Sequence, residues 1–455
     1  MTDVGVLAGE RVESLLSRPL RATTIGLVLM ITVVAFEALA VATALPTAVR
    51  ELHGVAYYSW PFSAFLASSV IAMVLAGETS DRHGPRRALL GGLAVFAAGL
   101  LLAGLARQMA VFVAGRAIGG FGAGAIAVGT YVLIGEVYDE RARPRVFAVV
   151  SAAWVLPSLV GPLISGVITQ VLTWRLVFAG LAPFPVIGLL LVLPALRRLP
   201  AHERPAGGAA RRRAPYAVLA AVGLSAVQYA GQQPRWVVLP LALAGAVALV
   251  PSLRRLLPPG TLVLRRGLPA ALAYRGVLGG AFFGADAFVP FTLSTVHGYS
   301  PAVAGLPLVV GALGWSAGSW FQSRPGAPER YVLIRTGCAF VGTAAAALVL
   351  VAWPGPPGWL AVPLWILAGL GMGLGMASTS VLTLRLSAPA ERGANAAALQ
   401  ICDVLASATL IGTAGVVLAA VVTHGGSPSV ALTIVDLIMA SVAALGVAMA
   451  GRLRT

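Results

Sequence analysis

Four carboxylates lie inside long apolar runs: Glu37, Asp286, Asp403 and Asp436. An ionised side chain in hydrocarbon is costly, so such residues face a water-filled cavity or a partner and mark ion or proton paths. A carboxyl in an apolar medium resists ionisation, which lets it load and release a proton near neutral pH. Arg116 is the one arginine placed well inside a run, in Arg116-Ala-Ile-Gly-Gly120-Phe-Gly122-Ala-Gly124. It needs a cavity or a counter-charge. Lying about two turns from the start of its run, it can also snorkel to the outer face. Gln400 stands one helical turn before Asp403, so the two share a face. Asp436 requires nothing more than helix–helix hydrogen bonding to account for it.

Other chemistry finds no support. No Gly-rich loop runs into Lys-Ser or Lys-Thr, so the chain has no ATP-binding P-loop signature. His53, His83, His202, His297 and His424 are scattered over loops and run ends without metal-ligand spacing. The Gly-rich runs lie inside apolar stretches with no strand before them, which favours close helix packing over a dinucleotide site. Cys338 and Cys402 also lie in apolar runs and read as buried free thiols. An enzyme would show paired catalytic groups at the membrane surface or a sizeable soluble domain. Neither is present, and no metal or cofactor is expected beyond protons as a coupling ion.

These residues must be positioned by membrane helices. Of 455 residues, 58% are hydrophobic and only 11% charged, with mean hydropathy +0.89. A soluble domain is typically about a quarter charged, so lipid is the solvent for much of this chain. The net charge of +16 is carried by arginine with no lysine, in short segments between apolar runs, so no nucleic-acid partner is expected. Apolar runs of spanning length fall at about 24–48, 57–76, 88–106, 109–134, 146–170 and 176–196. Two shorter runs follow at about 215–231 and 236–252, then six at about 276–296, 301–321, 331–352, 358–384, 393–422 and 429–450.

The expected domains are an N-terminal segment 1–20, a six-helix bundle 21–198, a basic linker 199–268 with two additional spans, and a second six-helix bundle 269–455. Residues 1–20 hold no separate apolar core of a signal peptide. Arginines gather in alternate segments: Arg11, Arg18 and Arg21; Arg82, Arg86 and Arg87; Arg141, Arg143 and Arg145; Arg197 to Arg213; and onward through Arg275 to Arg454. The other segments hold only Arg50, Arg107, Arg175 and Arg235. This asymmetry places both termini in the cytoplasm. Trp60, Trp174, Trp236, Trp353 and Trp359 fall near outer ends, as an interfacial belt would.

The halves echo each other. Gly77-Glu-Thr-Ser-Asp81-Arg82 follows the second run of the first half, and Gly318-Ser-Trp-Phe-Gln322-Ser follows its counterpart. Gly119, Gly120, Gly122 and Gly124 are matched by Gly369, Gly371, Gly373 and Gly375. Internal repeats of this kind build many transporters, with substrate and ion sites between the halves. In the loop Gly77-Glu-Thr-Ser-Asp81-Arg82-His-Gly84-Pro-Arg86-Arg87, Gly77 permits close helix approach and Gly84 a tight turn. Asp81 is placed to pair with arginines or a helix N-terminus, latching one conformation; a positive-inside loop with incidental charges is the simpler account.

On these motifs the chain resembles the drug:proton antiporters of the major facilitator superfamily, in the subgroup with fourteen spans. The resemblance implies an all-α fold of two six-helix bundles plus two linker helices. Gly161-Pro162-Leu-Ile-Ser-Gly166 is similar to the family's fifth-span antiporter element, with Ser165 in place of one glycine and Pro157 where an earlier glycine would stand. Helix packing by small residues is the alternative. An arginine at the position of Arg116 is implicated in proton transfer in that family. Glu37, ahead of Ala44-Leu45-Pro46, matches an acid that is usually Asp there. Asp286 occupies the corresponding span of the second half.

The expectation is a proton-coupled exporter of small lipophilic or cationic compounds working by alternating access in a bacterial cytoplasmic membrane. Glu37, Asp286, Asp403, Asp436 and Arg116 would carry the coupling. Gln400, Trp154, Phe282, Phe283 and Trp315 would line the substrate cavity, with lipid-facing or packing roles as the alternative for the aromatics. Partners would be a small-molecule substrate and membrane lipids, with the protein a monomer. A lipid or metabolite exporter and a proton-coupled uptake symporter remain alternatives on the same fold.

Overall fold

A backbone crossing hydrocarbon must satisfy its polar groups internally, and helices do so within one segment. The structure, a computed structural model, describes residues 17, 20–139, 142–199, 208–230, 235–324, 326–388 and 391–454, and these form helices joined by short turns with no strand among them. Most of the expected N-terminal segment 1–20, with Arg11 and Arg18, lies outside the described residues, as do Arg141, linker residues 200–207 and the side chain of Trp236.

The first half contains α1 (Arg21–Glu51), α2 (Trp60–His83), α3 (Pro85–Gly104), α4 (Met109–Val137), α5 (Arg143–Ala152), α6 (Val155–Val171), α7 (Arg175–Ala179) and α8 (Pro183–Arg198). Next come α9 (Gly208–Ala230) and α10 (Arg235–Leu256). The second half contains α11 (Leu268–Asp286), α12 (Val289–Thr295), α13 (Pro301–Ala304), α14 (Leu306–Ser323), α15 (Arg330–Val351), α16 (Ala361–Leu386), α17 (Arg392–Thr423) and α18 (Pro428–Met449). Twelve helical segments are long and apolar enough to cross a membrane, and Val155–Val171 and Ala214–Ala230 are shorter apolar helices. This is a multi-pass membrane protein.

Several expected spans are broken in two. α5 gives way to α6 ahead of Pro157, α7 to α8 ahead of Pro183 and Pro185, and α11 to α12 ahead of Pro290. Proline lacks the donor N–H and clashes with the carbonyl four residues back, so it is accommodated in the first turn of the following segment.

Within each half, glycines bring backbones together in one register. In α4, a Cβ at Gly120 would strike the Phe65 carbonyl and one at Gly124 the Ser69 carbonyl, both on α2; one at Gly122 would strike Phe96 on α3. In α16, Gly369 and Gly373 meet the Gly311 and Trp315 carbonyls of α14, and Gly371 meets the Gly337 carbonyl of α15. Gly120, Gly122 and Gly124 therefore correspond to Gly369, Gly371 and Gly373, one glycine later in the first half than the sequence pattern suggested.

The two halves touch mainly at one end, away from the arginine-rich segments. The Tyr58 hydroxyl donates to the Ala287 carbonyl at 2.7 Å, and its ring packs between Phe62, Phe288 and Phe291. A Cβ on Gly166 would lie 2.6 Å from Cα of Ala302, and Gly305 sits against the Pro162 carbonyl. Gly415 of α17 abuts the Ser59 side chain. α9 packs along α2 and α17, with Ala217 and Ala220 beside Val70 and Leu405.

Candidate functional site

Each buried acid has a different environment. Glu37 of α1 forms an ion pair with Arg116 of α4, and the two side chains are 1% and 3% exposed. Arg116 Nε also donates to the Pro61 carbonyl at 3.2 Å, and its guanidinium lies 4.4 Å from the centre of the Phe65 ring. The Arg116 guanidinium therefore points inward, to a carboxylate, a carbonyl and a ring face, and does not snorkel to the outer face.

Asp286, the last residue of α11, accepts a hydrogen bond from Trp365 Nε1 at 2.7 Å. No cation pairs with it among the described residues. Trp365 stacks on Phe282 with ring centres 5.5 Å apart. Phe282 in turn meets Phe283 and Trp315 edge-on, and Phe283 and Trp315 are 6.3 Å apart. Three of the aromatic residues singled out from sequence therefore form one cluster beside Asp286. Trp154 is not part of it; it lies exposed at the break before α6.

Asp403 of α17 pairs with Arg275, whose Nε lies 3.1 Å from Oδ2. The same guanidinium donates to the Met376 carbonyl, Ser380 Oγ and Gln400 Oε1. Gln400 and Asp403 do share a face. A Cβ on Gly279 would meet Asp403 Oδ1, so the carboxylate packs directly against this bare stretch of α11. Asp436 of α18 is 5% exposed, with no hydrogen bond or ion pair among the described residues.

By hydropathy Arg275 falls in a basic loop, but in the structure α11 begins at Leu268, putting Arg275 about two turns inside the helix. Gly267-Leu268-Pro269, a helix start with proline in its first turn, is the signal that would have found it. Nothing in the sequence pattern singles out Trp365 or Tyr58. Trp174, expected in an interfacial belt, is instead buried, donating from Nε1 to Glu51 Oε2 at 2.8 Å.

The expected loop after the second span is largely helix. Gly77 to His83 form the last turns of α2, Gly84 adopts φ 71°, and Pro85 starts α3 with Arg86 and Arg87 in its first turn. Gly77 has open space where a Cβ would stand, so no helix approaches it here. Arg82 pairs with Glu78 at 2.6 Å, and Asp81 is exposed without a partner among the described residues. In the fifth-span element, Gly161 makes only ordinary contacts, whereas Pro162 and Gly166 lie against the second half. Ser165 Oγ, where the family has glycine, donates to the Ala40 carbonyl at 2.8 Å.

Known proteins bear on this arrangement. An uncharacterised transporter of the same superfamily from Mycobacterium tuberculosis is 33% identical over 294 residues, 61% of this chain but 42% of that protein. The chain thus spans less than half the length of this relative. A probable multidrug-efflux transporter from the same organism is 28% identical over 410 residues, covering 82% of each chain. A multidrug transporter protein of Bacillus subtilis is 29% identical over 172 residues, 38% of this chain and 32% of that one. Among solved structures, a peptide transporter in complex with sulfate overlays with a TM-score of 0.70, covering 94% of both chains at 15% identity, a likeness of fold alone. The relatives are named as transporters rather than enzymes. The model of the Major Facilitator Superfamily matches residues 26–411, and the chain belongs to that superfamily.

Proposed function

We propose that this chain is a proton-coupled antiporter that exports small lipophilic or cationic compounds across a bacterial cytoplasmic membrane. The observation that carries this reading is Asp286, an acid at membrane depth on the first long helix of the second half with no paired cation among the described residues, beside the Ala287 contact between the halves. The efflux names of the relatives point the same way. The bundles 21–198 and 269–455 rock about the site, with α9 and α10 as two further spanning helices and both termini cytoplasmic. In that orientation the closed end faces outward, and the unpartnered Asp81 lies on the open, cytoplasmic side as a latch that engages when the bundles rock back. Protons entering down their gradient load an intramembrane carboxylate as substrate leaves.

Purified protein in liposomes, under an imposed pH gradient and with a panel of lipophilic cations, tests this. Proton entry that depends on added cation, and vanishes when Glu37 and Asp286 are both changed to amides, is the expected result. Proton movement indifferent to every cation refutes coupled export of this substrate class.

A further inference from the structure

The glycine register fixes which residues of the two halves correspond. Gly120, Gly122 and Gly124 match Gly369, Gly371 and Gly373 by the helices they touch. The residue four positions before the first glycine is Arg116 in one half and Trp365 in the other. Both reach an acid on the first long helix of their own half: Arg116 reaches Glu37 and Trp365 reaches Asp286. The repeat has kept the contact and changed its charge. Glu37 and Arg116 together carry no net charge. Asp286 with a neutral indole N–H carries one negative charge unless a proton or a bound cation cancels it, and an uncancelled charge at membrane depth is costly.

We infer that Asp286, with Trp365, Phe282, Phe283 and Trp315, forms the site where one lipophilic monocation and one proton exchange, while the Glu37–Arg116 pair stays intact through the cycle. The inference rests on the antiport reading and adds the residue, the substrate charge and the stoichiometry. Aromatic faces attract a cation that has shed its water, and this cluster sits directly against the carboxylate. Asp286, Phe283 and Trp315 keep part of their surface exposed, whereas Glu37 and Arg116 do not. The ionised carboxylate neutralises one bound monocation. A proton that binds the same oxygens leaves the cation without a counter-charge, and the cation departs outward. The proton then leaves inward as the next cation arrives, so each cycle moves no net charge.

The site is also coupled to closure. Asp286 ends α11 at the break before α12, and the carbonyl of the next residue, Ala287, accepts the hydrogen bond from Tyr58 of the first half. The titratable or charged groups on the surrounding elements are Tyr58; Tyr274 and Arg275 of α11 (the arginine about three turns before Asp286); Cys338, Tyr331 and the arginines of α15; Arg385 of α16; Arg392, Cys402 and Asp403 of α17; Asp436 of α18; and Arg452 beyond it. None of these forms a hydrogen bond or ion pair with Asp286 among the described residues. Asp436 also lacks a cation among the described residues, but it is 5% exposed, whereas Asp286 keeps part of its surface open and is followed directly by the Ala287 contact to the first half.

The test uses purified full-length protein in liposomes with tetraphenylphosphonium as the cation. Wild type should take up one proton per cation extruded, at a rate indifferent to a clamped membrane potential. Infrared difference spectra should show a carboxylic acid carbonyl band that tetraphenylphosphonium displaces. Asp286→Asn should lose both signals, Asp286→Glu and Asp436→Asn should keep both, and Trp365→Arg, which recreates the first-half pair, should lose both. The double variant Glu37→Gln/Arg116→Gln should keep the one-to-one ratio whatever its rate. Coupling or a displaceable band that survives Asp286→Asn overturns the assignment while leaving antiport intact, as does a ratio other than one. A displaceable band with no cation-dependent proton movement in wild type refutes antiport and leaves the site standing. Absence of both in folded wild type refutes both.

Discussion

Glu37→Gln, Arg116→Gln and the double variant form a thermodynamic cycle that tests whether the Glu37–Arg116 pair is a fixed part of the first half. Removing one partner of a buried pair leaves an uncompensated charge and costs about 3–5 kcal/mol. In Glu37→Gln the stranded guanidinium keeps the Pro61 carbonyl at 3.2 Å and the Phe65 ring at 4.4 Å, so the expected loss is near the low end, about 3 kcal/mol. In Arg116→Gln the carboxylate has no other hydrogen-bond partner among the described residues, so the expected loss is nearer about 5 kcal/mol. The double variant buries two neutral amides and should lose less than about 2 kcal/mol, so the singles and the double together imply a coupling energy of about 6 kcal/mol or more. Equilibrium unfolding in mixed dodecyl maltoside and sodium dodecyl sulfate micelles reads these values. A double variant as unstable as the sum of the singles, or singles within about 1 kcal/mol of wild type, would refute the fixed pair.

Three further outcomes follow from the same geometry. Tyr58→Phe removes the hydrogen bond to the Ala287 carbonyl, worth about 1 kcal/mol; thiol labelling of a cysteine placed at Ser59 should rise about fivefold as the closed end opens, and unchanged labelling counts against that end as the gate. Gly120→Val and Gly369→Val, at equivalent positions where a Cβ strikes backbone carbonyls, should each lower thermal stability in detergent by similar amounts, about 1–3 kcal/mol or more; a large loss in one alone contradicts the register. Gly84→Ala forces a side chain into a region essentially reserved for glycine, at φ 71° and ψ 176°, costing about 1–3 kcal/mol, read by the same unfolding assay; a loss under about 0.5 kcal/mol would show that the turn relaxes.

The sequence by itself determined the medium, the helices and their order. Apolar runs of membrane length leave the backbone no alternative to helix, so the helices and their order follow from composition, but not their continuity: the runs at 146–170, 176–196 and 276–296 are each broken in two. It also marked the acids, because a charge at membrane depth stands out from its surroundings whatever it touches. Helix ends were less legible. Hydropathy falls at a charge, so Arg275 reads as loop, although the structure continues the helix through it and pairs the charge with Asp403. Only the tertiary structure decided which partner each acid has. Arg116 lies many residues from Glu37 in sequence, and Trp365 from Asp286; their meeting depends on helix rotation, which the glycine contacts between α4 and α2 and between α16 and α14 impose. Near-uniformly apolar helices carry almost no record of their own rotation in sequence, since lipid-facing and core-facing positions are alike in polarity. The two halves therefore look equivalent in sequence, and the difference between a guanidinium and an indole beside the same carboxylate becomes visible only once the helices are packed.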